Sequence, residues 1–245
     1  MKAVILGAAS GMGRAIARQL VERGDSVFVL GIGADDLAKS AADLAARNPK
    51  VVVGHAVCDL ERPEGFAEAL DAADAGLANF DTVIVTAAMF ATQDALEADI
   101  ELARRLVTVN YANTVVFCEH VRKRLLARGG GRLAVFSSVA GDRGRKPVGI
   151  YGSSKAGISH YLESLDHKFH AAGLNVLCVK PGFVKTGMTA GLKPPPFAGE
   201  PEQVASAVIR ALDAKKALIY APAIWQLVML VIRHLPRFVM RKIGF

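Results

Sequence analysis

Several things are scarce in this chain. Its 245 residues include three cysteines, Cys58, Cys118 and Cys178. Their odd number and wide spacing exclude a disulfide framework and the close ligand spacing of a structural metal site. No metal is expected, and the chain reads as one for a reducing, cytoplasmic compartment. No charged leader with an apolar stretch and cleavage site opens the sequence, so export is not expected. Long apolar runs are missing too. Ile224–Ile232, interrupted at Gln226, covers nine residues and is too short to cross a bilayer. Acid is absent from residues 214–245, which hold Lys215, Lys216, Arg233, Arg237, Arg241 and Lys242; of the net +7, these six leave +1 for the rest. A basic end seeks an anionic surface. Few aromatics and an apolar setting argue against nucleic acid as that partner.

What is present is ample core material, at 52% hydrophobic residues, without low-complexity blocks. Short apolar runs at 2–6, 26–30, 51–57, 81–88, 129–138, 174–182 and 217–220 read as strands. They alternate with helical patterns, including one over 63–78, a long one from about Leu96 to Arg128, and one over 201–212. That order predicts an α/β fold, a doubly wound parallel sheet of about seven strands with helices on both faces over residues 1–222. A C-terminal amphipathic helical tail follows over 223–245.

Between the first strand and first helix lies Gly7-Ala-Ala-Ser-Gly11-Met-Gly13. Strand, glycine-rich turn, helix is the setting in which such a motif binds a dinucleotide: Gly7 allows the turn, and Gly11 and Gly13 admit the pyrophosphate to the helix N-terminus. The end of the second strand, Gly31-Ile32-Gly33, carries neither the acid that selects NAD nor the base that selects NADP. Asp59, after the third strand, can accept from an adenine amino group or cap a helix. Asn110, inside the long helical stretch, is a relay group or a satisfied structural amide.

The stretch Ser137–Lys155 holds the chemistry. Tyr151 and Lys155 are four residues apart, on one helix face if helical. An ammonium there lowers a phenol's pKa, which lets the phenol exchange a proton with a carbonyl or alcohol oxygen. Ser138 can present its hydroxyl to the same oxygen. A tyrosine–lysine pair also occurs as a plain surface pair. The catalytic reading rests on convergence, since nearly every candidate falls at a strand's carboxyl end, where open α/β sheets bind ligands.

Gly7–Gly13, Asp59, Asn110, Ser138, Tyr151-Gly-Ser-Ser-Lys155 and Pro181-Gly-Phe-Val-Lys-Thr186, in that order, resemble the short-chain dehydrogenase/reductase family over residues 1 to about 220. The resemblance implies a single Rossmann-type domain and hydride transfer between a nicotinamide and a carbonyl or alcohol carbon. It implies Tyr151 as acid/base, Ser138 as holder of the substrate oxygen, Lys155 on the nicotinamide ribose and Asn110 on a relay water. Cofactor contacts are implied at Gly7, Ser10, Gly11, Met12, Gly13, Asp59, Leu60, Ala87 and Ala88. Further ones are implied at Tyr151, Lys155, Pro181, Gly182, Val184 and Thr186, the last on the carboxamide. The cofactor is NAD(P)H, with NAD against NADP undecided. Leu6 and Thr86-Ala87-Ala88-Met89 depart from the family's usual threonine and Asn-Asn-Ala-Gly.

Arg143, Arg145 and Lys146 lie between Ser138 and Tyr151, and residues 190–201 are rich in Pro and Gly, as a substrate lid would be. The basic loop fits an anionic substrate or is a solvated surface. The tail, with Arg233, Arg237 and Arg241 at intervals of four and a break expected at Pro236, fits a membrane interface or packs on its own fold or a partner subunit. The loop and tail are similar to those of reductases acting on decaprenylphosphoryl-2-keto-ribose. That similarity implies a lipid-linked keto-sugar substrate, a partner flavin oxidase and a place on the inner face of the membrane. A homodimer or tetramer is also implied. Two other readings stand beside it: a reductase of a lipid, steroid or small carbonyl, and a non-catalytic dinucleotide-binding regulator.

Overall fold

A computed structural model describes residues 1–191 and 193–244. Leu192, in the expected lid, and Phe245, at the end of the tail, lie outside the described residues.

The chain runs β1 (Lys2–Leu6), α1 (Gly11–Arg23), β2 (Ser26–Gly31), α2 (Ala34–Arg47), β3 (Val53–Val57), α3 (Phe66–Leu77) and β4 (Thr82–Val85). It continues through α4 (Gln93–Ala98), α5 (Ile100–Val107), α6 (Thr114–Ala127), β5 (Gly131–Phe136), α7 (Gly149–Phe169) and β6 (Leu174–Pro181). It ends with α8 (Pro201–Asp213), β7 (Leu218–Ala221), α9 (Ile224–His234) and α10 (Arg237–Lys242). All strand pairs are parallel, in the order β3-β2-β1-β4-β5-β6-β7. The order reverses between β1 and β4, which opens a crevice at the strands' carboxyl ends.

Period-two alternation on β1 explains why helices cover both faces. Val4 and Leu6 enter one core with Phe66, Phe117 and Leu162. Ala3 and Ile5 enter the other with Ile16, Leu20 and Val208. On α1, Ile16, Leu20 and Val21 are fully buried, and Gly24 ends the helix in the left-handed region at φ 100°.

Two expectations change. The stretch from Leu96 to Arg128 is not one helix: the Asp99 side chain caps α5, and residues Thr108–Asn113 form a π-turn between α5 and α6. The tail breaks at Pro236 as expected, so Arg233 lies on α9 and Arg237 and Arg241 on α10; the basic stripe is not continuous. Met229 and Ile232 pack with Val139 and Tyr220 in a third, small core, while Leu227, Leu230, Val231 and Phe238 are more than half exposed.

Candidate active site

Ser138 leaves the end of β5 and starts a single 3-10 turn, Val139–Gly141, with its Oγ accepting from the Ala140 N–H at 3.0 Å. That turn lies directly on the first turns of α7. A Cβ on Gly152 would fall 2.7 Å from the Ala140 carbonyl oxygen, and one on Gly141 would fall 2.7 Å from the Ala156 nitrogen. Two glycines therefore permit the contact that brings Ser138 to Tyr151. Ser137 fastens the same contact from below: its Oγ donates to the Lys155 carbonyl at 2.9 Å and lies 2.7 Å from the Ser159 Oγ.

Tyr151 is half-buried beneath the Phe90 ring, which meets it edge to face at 5.2 Å and 83°. Burial pushes the phenol up to about 12, and the Ser138 hydroxyl bonded to it pulls the other way. Lys155 is 3% exposed. Its Nζ donates to the Phe136 carbonyl at 3.0 Å and sits 5.7 Å from the Tyr151 ring centroid. Burial pushes this amine down to about 8. The expectation that the ammonium lowers the phenol is thus reversed in the chain alone, because removal from water dominates both groups.

Asn110 is 1% exposed and sits in the π-turn. Its Oδ1 accepts from the Met89 N–H at 2.7 Å and its Nδ2 donates to the Met89 carbonyl at 2.9 Å. The side chain thereby pins the loop after β4, and one lone pair and one N–H remain for a water.

A cleft of about 310 Å³ runs along the carboxyl ends of β1, β2, β3 and β4. Gly7, Ser10, Gly11, Met12, Gly13, Asp59, Leu60, Ala87, Ala88 and Thr186 line it, as expected for a dinucleotide site. Ile32 of the selecting strand end and Thr86 and Met89 of the altered family motif line it too, and Ala9, Glu61 and Met188 join them without having been foreseen. The donors fit a pyrophosphate. Ser10 precedes α1 without a side-chain cap, and the first turn of α1 holds no acid, so its backbone N–H groups face the cleft uncompensated.

Gly13 has a packing task besides its place in the cleft's lining. A Cβ there would fall 2.2 Å from the Gly7 carbonyl and 2.6 Å from Thr86 Oγ1, so this glycine permits α1 to pack on the strand ends. Thr86, the departure from the family pattern, lies with Oγ1 3.0 Å from the Leu6 carbonyl and 3.2 Å from that of Gly7, and so ties β4 to β1. The Asp59 Oδ1 accepts from the Glu61 N–H at 2.9 Å, which makes it a turn cap at the cleft wall.

Some expected cofactor residues lie outside the cleft's lining. Val184 is buried at 3% and packs in the core, so its side chain is not free for a ligand. Pro181 ends β6 beside Ala221, and Gly182 is covered by the Trp225 indole, whose Nε1 would fall 2.0 Å from a Cβ there. Tyr151 and Lys155 lie on α7, also beyond the lining of this cleft. Arg143, Arg145 and Lys146 are gathered not at this cleft but under the tail, in a pocket that shares no residue with it.

Sequence reasoning missed Phe90, Gln93, Ser137 and Trp225. Gln93 Oε1 accepts from the Ile150 N–H at 3.1 Å and so holds the start of α7. Ser137 had a visible signal in the serine pair; the others come from distant parts of the chain that only the fold brings near.

A family model described as short chain dehydrogenase matches residues 1–196. The chain belongs to this family. It is an NAD(P)-dependent oxidoreductase, and its Ser138, Tyr151 and Lys155 stand together at the carboxyl edge of the sheet. It is 32% identical over 239 residues to an uncharacterised oxidoreductase of Mycobacterium tuberculosis, across 98% of this chain and 95% of that protein. It is 30% identical over 234 residues to a cis-4-hydroxycyclohexanecarboxylate dehydrogenase of Sinomonas cyclohexanicum, across 89% and 92%. Among solved structures it shares the fold of an actinorhodin polyketide ketoreductase with NADPH, at TM-score 0.80 and 23% identity over 89% and 94% of the two chains. A short-chain type dehydrogenase/reductase from Mycobacterium ulcerans is alike at TM-score 0.80 and 24% identity, over 89% of this chain and 86% of that one.

Proposed function

We propose that this enzyme is a ketoreductase acting on a keto-sugar carried by a polyprenyl phosphate. A bound nicotinamide supplies the hydride to the carbonyl carbon. Tyr151 gives its phenolic proton to the carbonyl oxygen, and Ser138 holds that oxygen by a hydrogen bond. Lys155 holds the nicotinamide ribose, and Asn110 keeps a relay water behind it through the polar valences that Met89 leaves free.

One observation carries the substrate class: the basic loop after Ser138 is roofed by a tail whose outer face is apolar. Arg143, Arg145 and Lys146 meet α10, while Leu227, Leu230 and Val231 of α9 face outward. No helix among the described residues is long and apolar enough to cross a membrane. The exposed face of α9 with the cations around it fits contact with an anionic membrane from its cytoplasmic side. In this reading a flavin-dependent oxidase supplies the ketone, and the enzyme acts as a homodimer or tetramer. Gly31-Ile32-Gly33 carries no charge to select NADH or NADPH.

A second reading, reduction of a small ring ketone bearing a carboxylate, is favoured by the cis-4-hydroxycyclohexanecarboxylate dehydrogenase relative. Reduction by the purified enzyme of a short-chain prenylphosphoryl keto-pentose and of 4-oxocyclohexanecarboxylate, each with NADH and with NADPH, decides between them. A higher kcat/KM for the ring ketone would overturn the lipid-sugar reading.

A further inference from the structure

The loop after Ser138 and the last helix enclose a second pocket of about 400 Å³. Its walls are Arg143, Arg145 and Lys146 from the loop and Arg237, Met240 and Arg241 from α10, with Gly144 between them. Five of these side chains are cationic and none is acidic. No ion pair engages any of the five among the described residues.

The hydrogen bonds that hold the walls together do not neutralise them. Arg143 donates to the Leu235 carbonyl at 2.9 Å, and Lys146 Nζ to the Arg241 carbonyl at 2.7 Å. Both join loop to tail through backbone oxygens and leave these charges without an acidic partner among the described residues. Arg145 Nε is buried and meets no acceptor among the described residues. The neighbouring acid, Asp142, is engaged elsewhere, by Lys180 at 2.5 Å and the Tyr220 hydroxyl at 2.7 Å. A buried guanidinium N–H without a partner is costly, and like charges around one cavity repel. The tail is nevertheless held down over them, because Met229 and Ile232 pack with Val139 and Tyr220, and Met240 packs against this cluster. The fold therefore holds five cations around one cavity.

We propose that the pocket between residues 143–146 and α10 is a binding site for a phosphate or diphosphate ester, with Arg237 and Arg241 of the tail supplying two of its five cations. Several converging guanidinium groups match the multiple oxygens of a phosphate better than one carboxylate. The inference deepens the reading of a phosphate-bearing substrate and rests on it for the identity of the ester alone. The ester belongs either to a free molecule or to a lipid headgroup, and the two give different results below.

The full-length protein, held at saturating NAD⁺ or NADP⁺, whichever it binds more tightly, so that the dinucleotide cleft is filled, is titrated calorimetrically with inorganic pyrophosphate. In parallel it is sedimented with phosphatidylcholine vesicles with and without phosphatidic acid. Arg237→Ala/Arg241→Ala and Arg145→Met are measured beside it, with thermal melting as the check that each folds. Wild type is expected to bind, and both variants to bind about ten-fold or more weakly. Pyrophosphate binding assigns a free ester; binding confined to phosphatidic acid vesicles assigns a lipid headgroup. Absence of both, or equal binding by folded variants, overturns the proposal. Ketone reduction by wild type is recorded separately, so loss of the reductase reading and loss of this site give different outcomes.

Discussion

Lys155 lies across the Tyr151 ring, 5.7 Å from its centroid, and gives its hydrogen bond to the Phe136 carbonyl rather than to the phenol. Burial shifts both groups towards their neutral forms, raising the phenol to about 12 and lowering the amine to about 8. The chain alone is thus set up as an acid. A buried ammonium is a stability penalty with a definite pH window. In the unfolded chain the lysine titrates near its ordinary 10.5, while in the fold it does so near 8. Between those values the unfolded state binds more protons, so stability contributed by this site rises with pH. Lys155→Met should therefore be more stable relative to wild type at pH 7 than at pH 10. The difference should close by at most about 1.4 kcal/mol per pH unit above pH 8, as read from urea denaturation. A gap that does not change over that range would show that the amine is not depressed.

Asn110→Ala should remove both partners of the Met89 backbone, whose loop lines the dinucleotide cleft. Two part-buried backbone groups left unpaired cost about 1–3 kcal/mol each before relaxation. Cofactor affinity, measured by fluorescence titration, is expected to fall together with the melting temperature. A variant that keeps both but loses turnover would instead give Asn110 a purely chemical part.

The glycines can be told apart by substitution. Gly13→Ala drives a methyl into the Gly7 carbonyl and Thr86, so a loss of about 2 kcal/mol or more in stability and a weaker cofactor are expected. Gly144→Ala meets nothing within 4 Å and should stay within about 0.5 kcal/mol of wild type. Denaturant melts of the pair check this, and equal melts would contradict the packing role of Gly13.

Much of this was legible in the sequence, for physical reasons. The alternation on β1 and the helical spacing on α1 are local, so sheet and helices could be read directly. The glycine motif, Asp59, Ala87 and Ala88 could be placed because each follows a strand, and parallel strands end on one edge. What escaped was non-local. The π-turn around Asn110 leaves no periodic mark. Phe90 meets Tyr151 from another loop, and Trp225 meets Gly182 from the tail. Val184 follows the motif in sequence yet packs inward. The sign of the Tyr151 shift was misjudged because spacing reports a neighbouring charge but not the depth at which both groups lie.

The tail has two faces with opposite expectations. Met229 is fully buried, and Met229→Ala should cost about 2–5 kcal/mol through the small core it shares with Val139 and Tyr220. Leu227→Ser/Val231→Ser alters exposed positions and should leave melting nearly unchanged while weakening sedimentation with anionic vesicles. Undiminished vesicle binding by the serine variant would remove this face as the membrane contact.

The central claim is that the Tyr151 phenol is the proton donor in a nicotinamide-dependent reduction. Its most direct test is Tyr151→Phe, with steady-state reduction of an accepted ketone and cofactor affinity measured on the same preparation. Loss of the hydroxyl leaves the ring, its Phe90 contact and the Lys155 bond in place. The account predicts a fall in kcat of about 10²–10⁴ with cofactor binding retained. A variant that reduces the ketone at close to the wild-type rate would contradict it.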